Sequence, residues 1–184
     1  MAVKTFTSAT LSSSDTNTYL ANAGLVYVKS QTIGNGVASF TVSDAFSTTY
    51  DNYKIVISGT TVTGTANCRV TLGSQATGYY GSFIYTRPNT STISADPTNN
   101  GARFEYGAIL AVGSPGGSFE LLGPFLSTKT ICSSSLCETA TVASAVGTFN
   151  GWLDTTASYT AFTITASGGT YTGGTVTVYG YRKA

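Results

Sequence analysis

Between Tyr53 and Ser58 the side chains alternate, Tyr53, Ile55 and Ile57 against Lys54, Val56 and Ser58, which is the period of a strand. Both sides of that strand are largely apolar, so it belongs inside a sandwich and not at an edge. Tyr50-Asp51-Asn52 ahead of it supplies a turn, since Asp and Asn side chains bond nearby backbone amides. From Leu25 onward the signature recurs in short runs, at Leu25 to Thr32, Val37 to Val42, Asn67 to Leu72 and Tyr79 to Thr86. It resumes at Ala102 to Val112, Ser118 to Leu122, Lys129 to Cys132 and Glu138 to Ala145. Phe149 to Leu153, Tyr159 to Thr165 and Thr175 to Tyr181 complete the series. Gly34-Asn35-Gly36, between the first two runs, carries the Asn-Gly signal of a hairpin. Asn89 to Gly101, after Arg87-Pro88, is rich in Ser, Thr, Asn and Pro and reads as a long exposed loop.

Strand runs spaced roughly 8 to 12 residues apart, with no amphipathic helix between them, indicate a sandwich, jelly roll or barrel. The expected fold class is therefore all-β, an antiparallel β-sandwich or jelly-roll-like domain over residues 25–184. Residues 1–24 form an appendage to it. Residues 1–10 are small and polar and read as an extended arm. A short helix is expected over Asp15 to Ala23: Ser14 is an N-cap, Asp15 places negative charge in the first turn, and Gly24 fits the C′ position. A helix of barely three turns does not persist alone, so it must dock. Either it packs on its own sandwich, or arm and helix reach a neighbouring subunit. In the second case Val3, Phe6 and Leu11, with Tyr19 and Leu20, are the docking side chains.

Composition narrows the class. Charged residues make up 9% of the chain, far below the usual share of roughly a quarter, and the formal net charge is +1. With 12 Tyr and 9 Phe the chain has the aromatics of a packed fold, not a disordered one. Its polar surface must be Ser, Thr, Asn and Gly. No basic patch is present to follow a phosphate backbone, which disfavours nucleic acid. No apolar run approaches the ~20 residues of a membrane span, and MAVKTFTSATLSSSD lacks the apolar core of a secretory signal. Synthesis in the cytoplasm, with no membrane partner, is the expectation.

Histidine is absent from the sequence, so Ser-His-Asp and Cys-His catalysis and histidine metal sites do not apply. No catalytic, cofactor-binding or metal-binding residue is assigned, and the chain is read as non-enzymatic. The carboxylates are scattered and sit beside turns or on strand faces, where capping and solvation explain them. Cys132 and Cys137 bracket Ser133 to Leu136. If those four residues form a hairpin loop, the two Cα atoms fall within the roughly 4.4–6.8 Å that a disulfide needs; otherwise both are free thiols. Cys68, in NCRVTL, reads as a small buried apolar residue. In Gly78 to Tyr85 the rings invite a carbohydrate-stacking reading, but alternation places Tyr79 and Phe83 on one face as core. Trp152, in NGWLD, is read as a core or interface anchor.

Four segments carry a resemblance: LSSSDTNTYLANAGLVYV (11–28), TYDNYKIVISG (49–59), LGSQATGYYGSFIY (72–85) and ASYTAFTITASGGTYTGGTVTVYGYR (157–182). They resemble small virion structural proteins of tailed bacteriophages, of the type found in phages of cyanobacteria and marine bacteria. None is a catalytic motif. The resemblance implies a component of the phage particle surface: a head decoration (cement) protein, a homotrimer that binds the major capsid protein and stabilises its lattice. A second implication is a tail-fibre or receptor-binding protein that recognises a host surface glycan. Length favours the first, because the chain has no heptad run or collagen-like repeat of the kind a fibre carries.

Overall fold

The alternation around Tyr53 builds the largest of three sheets. The structure, a computed structural model, describes residues 24–183. The expected arm and helix, and with them Val3, Phe6, Leu11, Tyr19 and Leu20, lie outside the described residues. The strands are β1 (Leu25–Thr32), β2 (Asn35–Val37), β3 (Ser39–Val42), β4 (Asn52–Ser58), β5 (Ala66–Leu72), β6 (Tyr79–Thr86) and β7 (Ser94–Gly101). They continue as β8 (Phe104–Leu110), β9 (Gly116–Leu122), β10 (Thr130–Cys137), β11 (Val146–Leu153), β12 (Phe162–Ala166), β13 (Tyr171–Thr172) and β14 (Thr175–Tyr181). Eight of them form one sheet, in the order β1-β14-β4-β9-β10-β11-β6-β7, and four form a second, β3-β12-β5-β8. β2 and β13 make a small two-stranded ribbon. The pairing in all three is antiparallel.

The two larger sheets pack face to face, and period two decides which side chains meet. Tyr53, Ile55 and Ile57 of β4 are fully buried beside Val176 and Val178 of β14. β4 lies between β14 and β9, an interior strand of the sheet, with its Lys54–Val56–Ser58 side turned away from the second layer. Aromatic rings bridge the layers. Phe119 of β9 meets Phe162 of β12 edge to face at 6.2 Å, and Tyr79 of β6 meets Phe104 of β8 at 4.8 Å. Such edge-to-face pairs add about 0.5–1.5 kcal/mol each beyond the area they bury. One continuous cluster of buried residues runs through both sheets.

Four expectations are corrected. Asn35-Gly36 does not turn a hairpin: β1 pairs with β14 in one sheet while β3 pairs with β12 in the other. Gly36, at φ 76°, instead lets the chain cross between layers, and the local turn signal yields to Ile33 and Phe40, which are buried beyond it. Lys29 Nζ and Gln31 Nε2 then tie β1 to β3 across that edge by donating to the carbonyls of Ser43 and Thr41, at 2.6 and 3.0 Å. Asn89 to Gly101 is not all loop, because Ser94–Gly101 pairs with β6 as the edge strand β7. Its Pro97 and Asp96 give it loop-like composition and are what an edge tolerates. Glu138 to Ala145 is no strand but the β10–β11 turn, in which Glu138 N–H donates to the Ala145 carbonyl at 2.9 Å.

The fourth correction is the disulfide. Cys132 and Cys137 lie on the single strand β10, the first buried and the second exposed. Residues an odd number apart on a strand face opposite sides, and five strand residues span about 16 Å, well beyond disulfide reach. Both are free thiols.

Candidate functional site

On the larger sheet the side chains that alternate with the core point away from the second layer, and the registers align them in rows. One row runs Tyr80–Trp152–Ile131–Leu122, from β6 through β11 and β10 to β9. The next runs Ser82–Asn150–Ser133–Glu120–Lys54–Tyr179–Tyr27, from β6 to β1. The first row is apolar, the second mostly neutral and polar. Several large side chains of this face stay in solvent: Trp152 is 44% exposed, Ile131 45%, Ile84 54% and Tyr27 60%.

Trp152 is therefore not core. Leu153 beside it takes the inward position and is fully buried, and two successive strand residues cannot both face in. The indole stacks on Tyr80 with centroids 5.1 Å apart and planes 11° apart. Alternation within Gly78 to Tyr85 does hold for its partners: Tyr79 and Phe83 are buried, Tyr80 half-buried on the outer side. On the far side of the indole an open hollow of about 500 Å³ is lined by Ile131, Asn150, Gly151 and Lys129. Lys129 is itself tied to Asp154 at 2.5 Å.

The charges of the face are few and matched. Lys54 approaches Glu120 at 4.0 Å, and Tyr181 donates its hydroxyl to the same carboxylate. Burial and the Glu120 carboxylate together push the Tyr181 phenol up to about 12. At one end Lys183 pairs with Asp51 at 2.7 Å. Elsewhere Glu105 lies between Arg69 and Arg103, at 2.6 and 3.0 Å, and Glu138 accepts from the Ala145 amide at 3.0 Å. Among the described residues no three Cys, Asp or Glu side chains converge as metal ligands would. Burial pushes the Cys68 thiol up to about 12, opposed in part by the Tyr171 hydroxyl, which donates to it at 3.5 Å. Cys132, fully buried, is pushed up further for the same first reason. Both thiols are held neutral, without thiolate character.

Between β9 and β10 the sheet splits. The two strands pair over Ile131–Ser133 and Glu120–Leu122 and then diverge. A cavity of about 680 Å³ opens there, with Ala108, Ile109 and Leu136 among its lining. A smaller one of about 230 Å³, between Ser118–Glu120 and Ser133–Ser135, continues it toward the closed end. The face thus offers an aromatic row, a neutral polar row and one slot. Trp152 had one signal in the sequence, the adjacent Trp-Leu pair in a period-two strand. The slot had none, since it depends on where two strands part. Comparison with protein-family models, curated proteins and solved structures returns no match.

Proposed function

We propose that this chain is a non-enzymatic structural protein of a tailed-phage virion, a decoration (cement) protein that binds the major capsid protein lattice and stabilises it. The four segments that resemble phage virion proteins support the virion assignment. The observation that carries the binding role is the outer face of the eight-stranded sheet, neutral, ring-bearing and uncovered by the described residues. Seven strand spacings of ~4.8 Å and seven residues at ~3.3 Å give that face roughly 34 by 23 Å, about the ~800 Å² per partner of a stable interface. Few ions need desolvating there, so covering it costs little. In this reading Val3, Phe6, Leu11, Tyr19 and Leu20 extend the contact to a neighbouring virion subunit, and the protein is a homotrimer on the particle surface. Cross-linking of adjacent capsid subunits by such a module resists their separation, which is how a shell gains stability without catalysis. Adding the purified protein back to particles stripped of it tests the role: restored resistance of the heads to heat or chelation supports it, and heads no sturdier than before refute it.

A second reading has its own observation. The exposed indole of Trp152, backed by Tyr80 and flanked by Asn150 and Lys129, has the makeup of a sugar platform: an apolar ring face with polar groups at its rim. It fits a tail-fibre or receptor-binding protein that recognises a host surface glycan. A glycan-array signal lost in Trp152→Ala, with no binding to heads, selects this reading over the first.

A further inference from the structure

Two of the scattered carboxylates meet in a cavity that lies away from the outer face. At one edge of the molecule β6 and β7 of the larger sheet pack over β8 of the smaller one. A cleft of about 220 Å³ opens between the layers there, and Arg87, Asp96 and Glu138 all line it. Period two builds its wall. Phe83, Tyr85 and Arg87 share the inner side of their strand, so their planes stack: Tyr85 lies 4.8 Å from Phe83, and the Arg87 guanidinium sits over Tyr85 at 5.0 Å. Tyr106 of β8 closes on Phe83 at 4.7 Å from the other layer. Asp96 is the register partner of Phe83 on β7 and therefore shares its side. The Tyr106 hydroxyl donates to Asp96 Oδ2, and the Ala145 amide donates to Glu138 Oε2 at 3.0 Å. Burial and the Asp96 carboxylate push the Tyr106 phenol up, so it stays protonated and keeps donating.

Each of the three charged groups is thus held by one contact and keeps capacity to spare. Asp96 Oδ1, Glu138 Oε1, the Arg87 guanidinium, the Tyr85 hydroxyl and the Asn67 side-chain amide have no hydrogen-bond partner among the described residues. Acceptors and donors therefore stand side by side in one small cavity. A simple cation would meet the guanidinium there, and a simple anion would meet two carboxylates, so neither is matched. Neighbouring hydroxyls on a saturated ring each donate and accept at once, and planar carboxylate and guanidinium forks take them in pairs. At about 220 Å³ the cleft lies below the roughly 300–1,000 Å³ of a drug-sized ligand site, which leaves room for one ring. The ring faces of Phe83 and Tyr85 are taken up by the stack, so hydrogen bonds and not stacking must hold the ligand. We infer that this cleft binds a single neutral sugar residue, with Asp96, Glu138 and Arg87 bonding its hydroxyls. Trp152 lies on the opposite side of the larger sheet and near the start of β6, whereas the cleft lies near its end. The inference therefore rests on neither proposed role.

The test is an NMR titration of the full chain with methyl glucoside, methyl mannoside, methyl galactoside and N-acetylglucosamine, following backbone amide and indole resonances. At least one of the four should shift the amides of Arg87, Asp96 and Glu138, with a Kd of about 1 mM. Arg87→Lys keeps the charge but loses the fork, and Asp96→Asn keeps an acceptor for Tyr106 but loses the second one. Each should weaken binding at least about tenfold while resonances away from the cleft stay in place. Glu138→Gln serves if either variant does not fold. Affinity should change less than about twofold between about 0.05 and 0.5 M salt, because the ligand carries no charge. No shift with any of the four up to about 50 mM overturns the inference, as does full affinity in the folded variants. Shifts confined to the Trp152 indole also overturn it and select the platform on the outer face. Competition by glycine or acetate overturns it as well, since the cleft would then be a site for ions.

Discussion

Trp152 and Tyr80 stack across the β6–β11 ladder, ring planes 11° apart, on the solvent side of a strand whose next residue, Leu153, is fully buried. The pair holds little of the fold together and presents much of its apolar surface outward. Trp152→Ala should therefore cost only about 1 kcal/mol in urea unfolding. The same variant should lose particle binding in sedimentation, a larger effect than its stability loss explains.

Phe162 marks the opposite regime. It is fully buried, stacked on Phe46 at 5.5 Å and edge-on to Phe119 at 6.2 Å, so its removal leaves a cavity and two unpartnered rings. Phe162→Ala should destabilise by about 3–5 kcal/mol, read as a lowered denaturation midpoint with the slope unchanged.

What the sequence told and withheld follows from the range of each interaction. Tyr79–Thr86 and Thr175–Tyr181 were legible to their ends because a strand's period is local. Strand partnership is not. Asn35-Gly36 has every local feature of a hairpin, yet its flanks pair with β14 and β12 in different sheets and so never meet. Ser94–Gly101 hid because an edge strand is under pressure to look like a loop. The Cys132–Cys137 bridge failed for a related reason: its premise was a turn at Ser133–Leu136, but the turn falls after Cys137, where Ser144 and Thr141 close it with bonds of 2.9 and 3.0 Å. Of the candidate site, the exposed ring of Trp152 was half legible, and the β9–β10 gap was not legible at all.

Thiol labelling should reflect this geometry. Cys137 is exposed, and alkylation of the native protein should modify it alone. Cys68 and Cys132, buried and held neutral, should react only on unfolding, with no reductant required. Mass spectrometry that found a Cys132–Cys137 bridge would contradict the strand assignment of β10.

Stability should fall on the alkaline side. Burial pushes Tyr79 from 10.0 up to about 12, its hydroxyl donating to Gln75 and accepting from the Leu72 amide. Cys68 is pushed from 9.0 up to about 12. Both groups stay neutral in the fold at a pH where the unfolded chain has already lost the proton. Their contribution is therefore complete below about pH 9 and is lost as the pH climbs toward 12. Thermal midpoints should decline across that window, and Cys68→Ala should make the decline shallower without moving its onset, because Cys132, raised from the same ordinary thiol value, still contributes from about pH 9.

The proposed decoration role requires the outer face of the eight-stranded sheet to be buried against a neighbouring subunit on the phage head. Electron cryomicroscopy of intact particles tests it most directly. The expected result is density for the sandwich at symmetric positions on the head, in threefold groups, with Trp152, Ile131 and Tyr27 facing a neighbour. Density confined to the tail fibres, or a head-bound sandwich with that face turned to solvent, would contradict it.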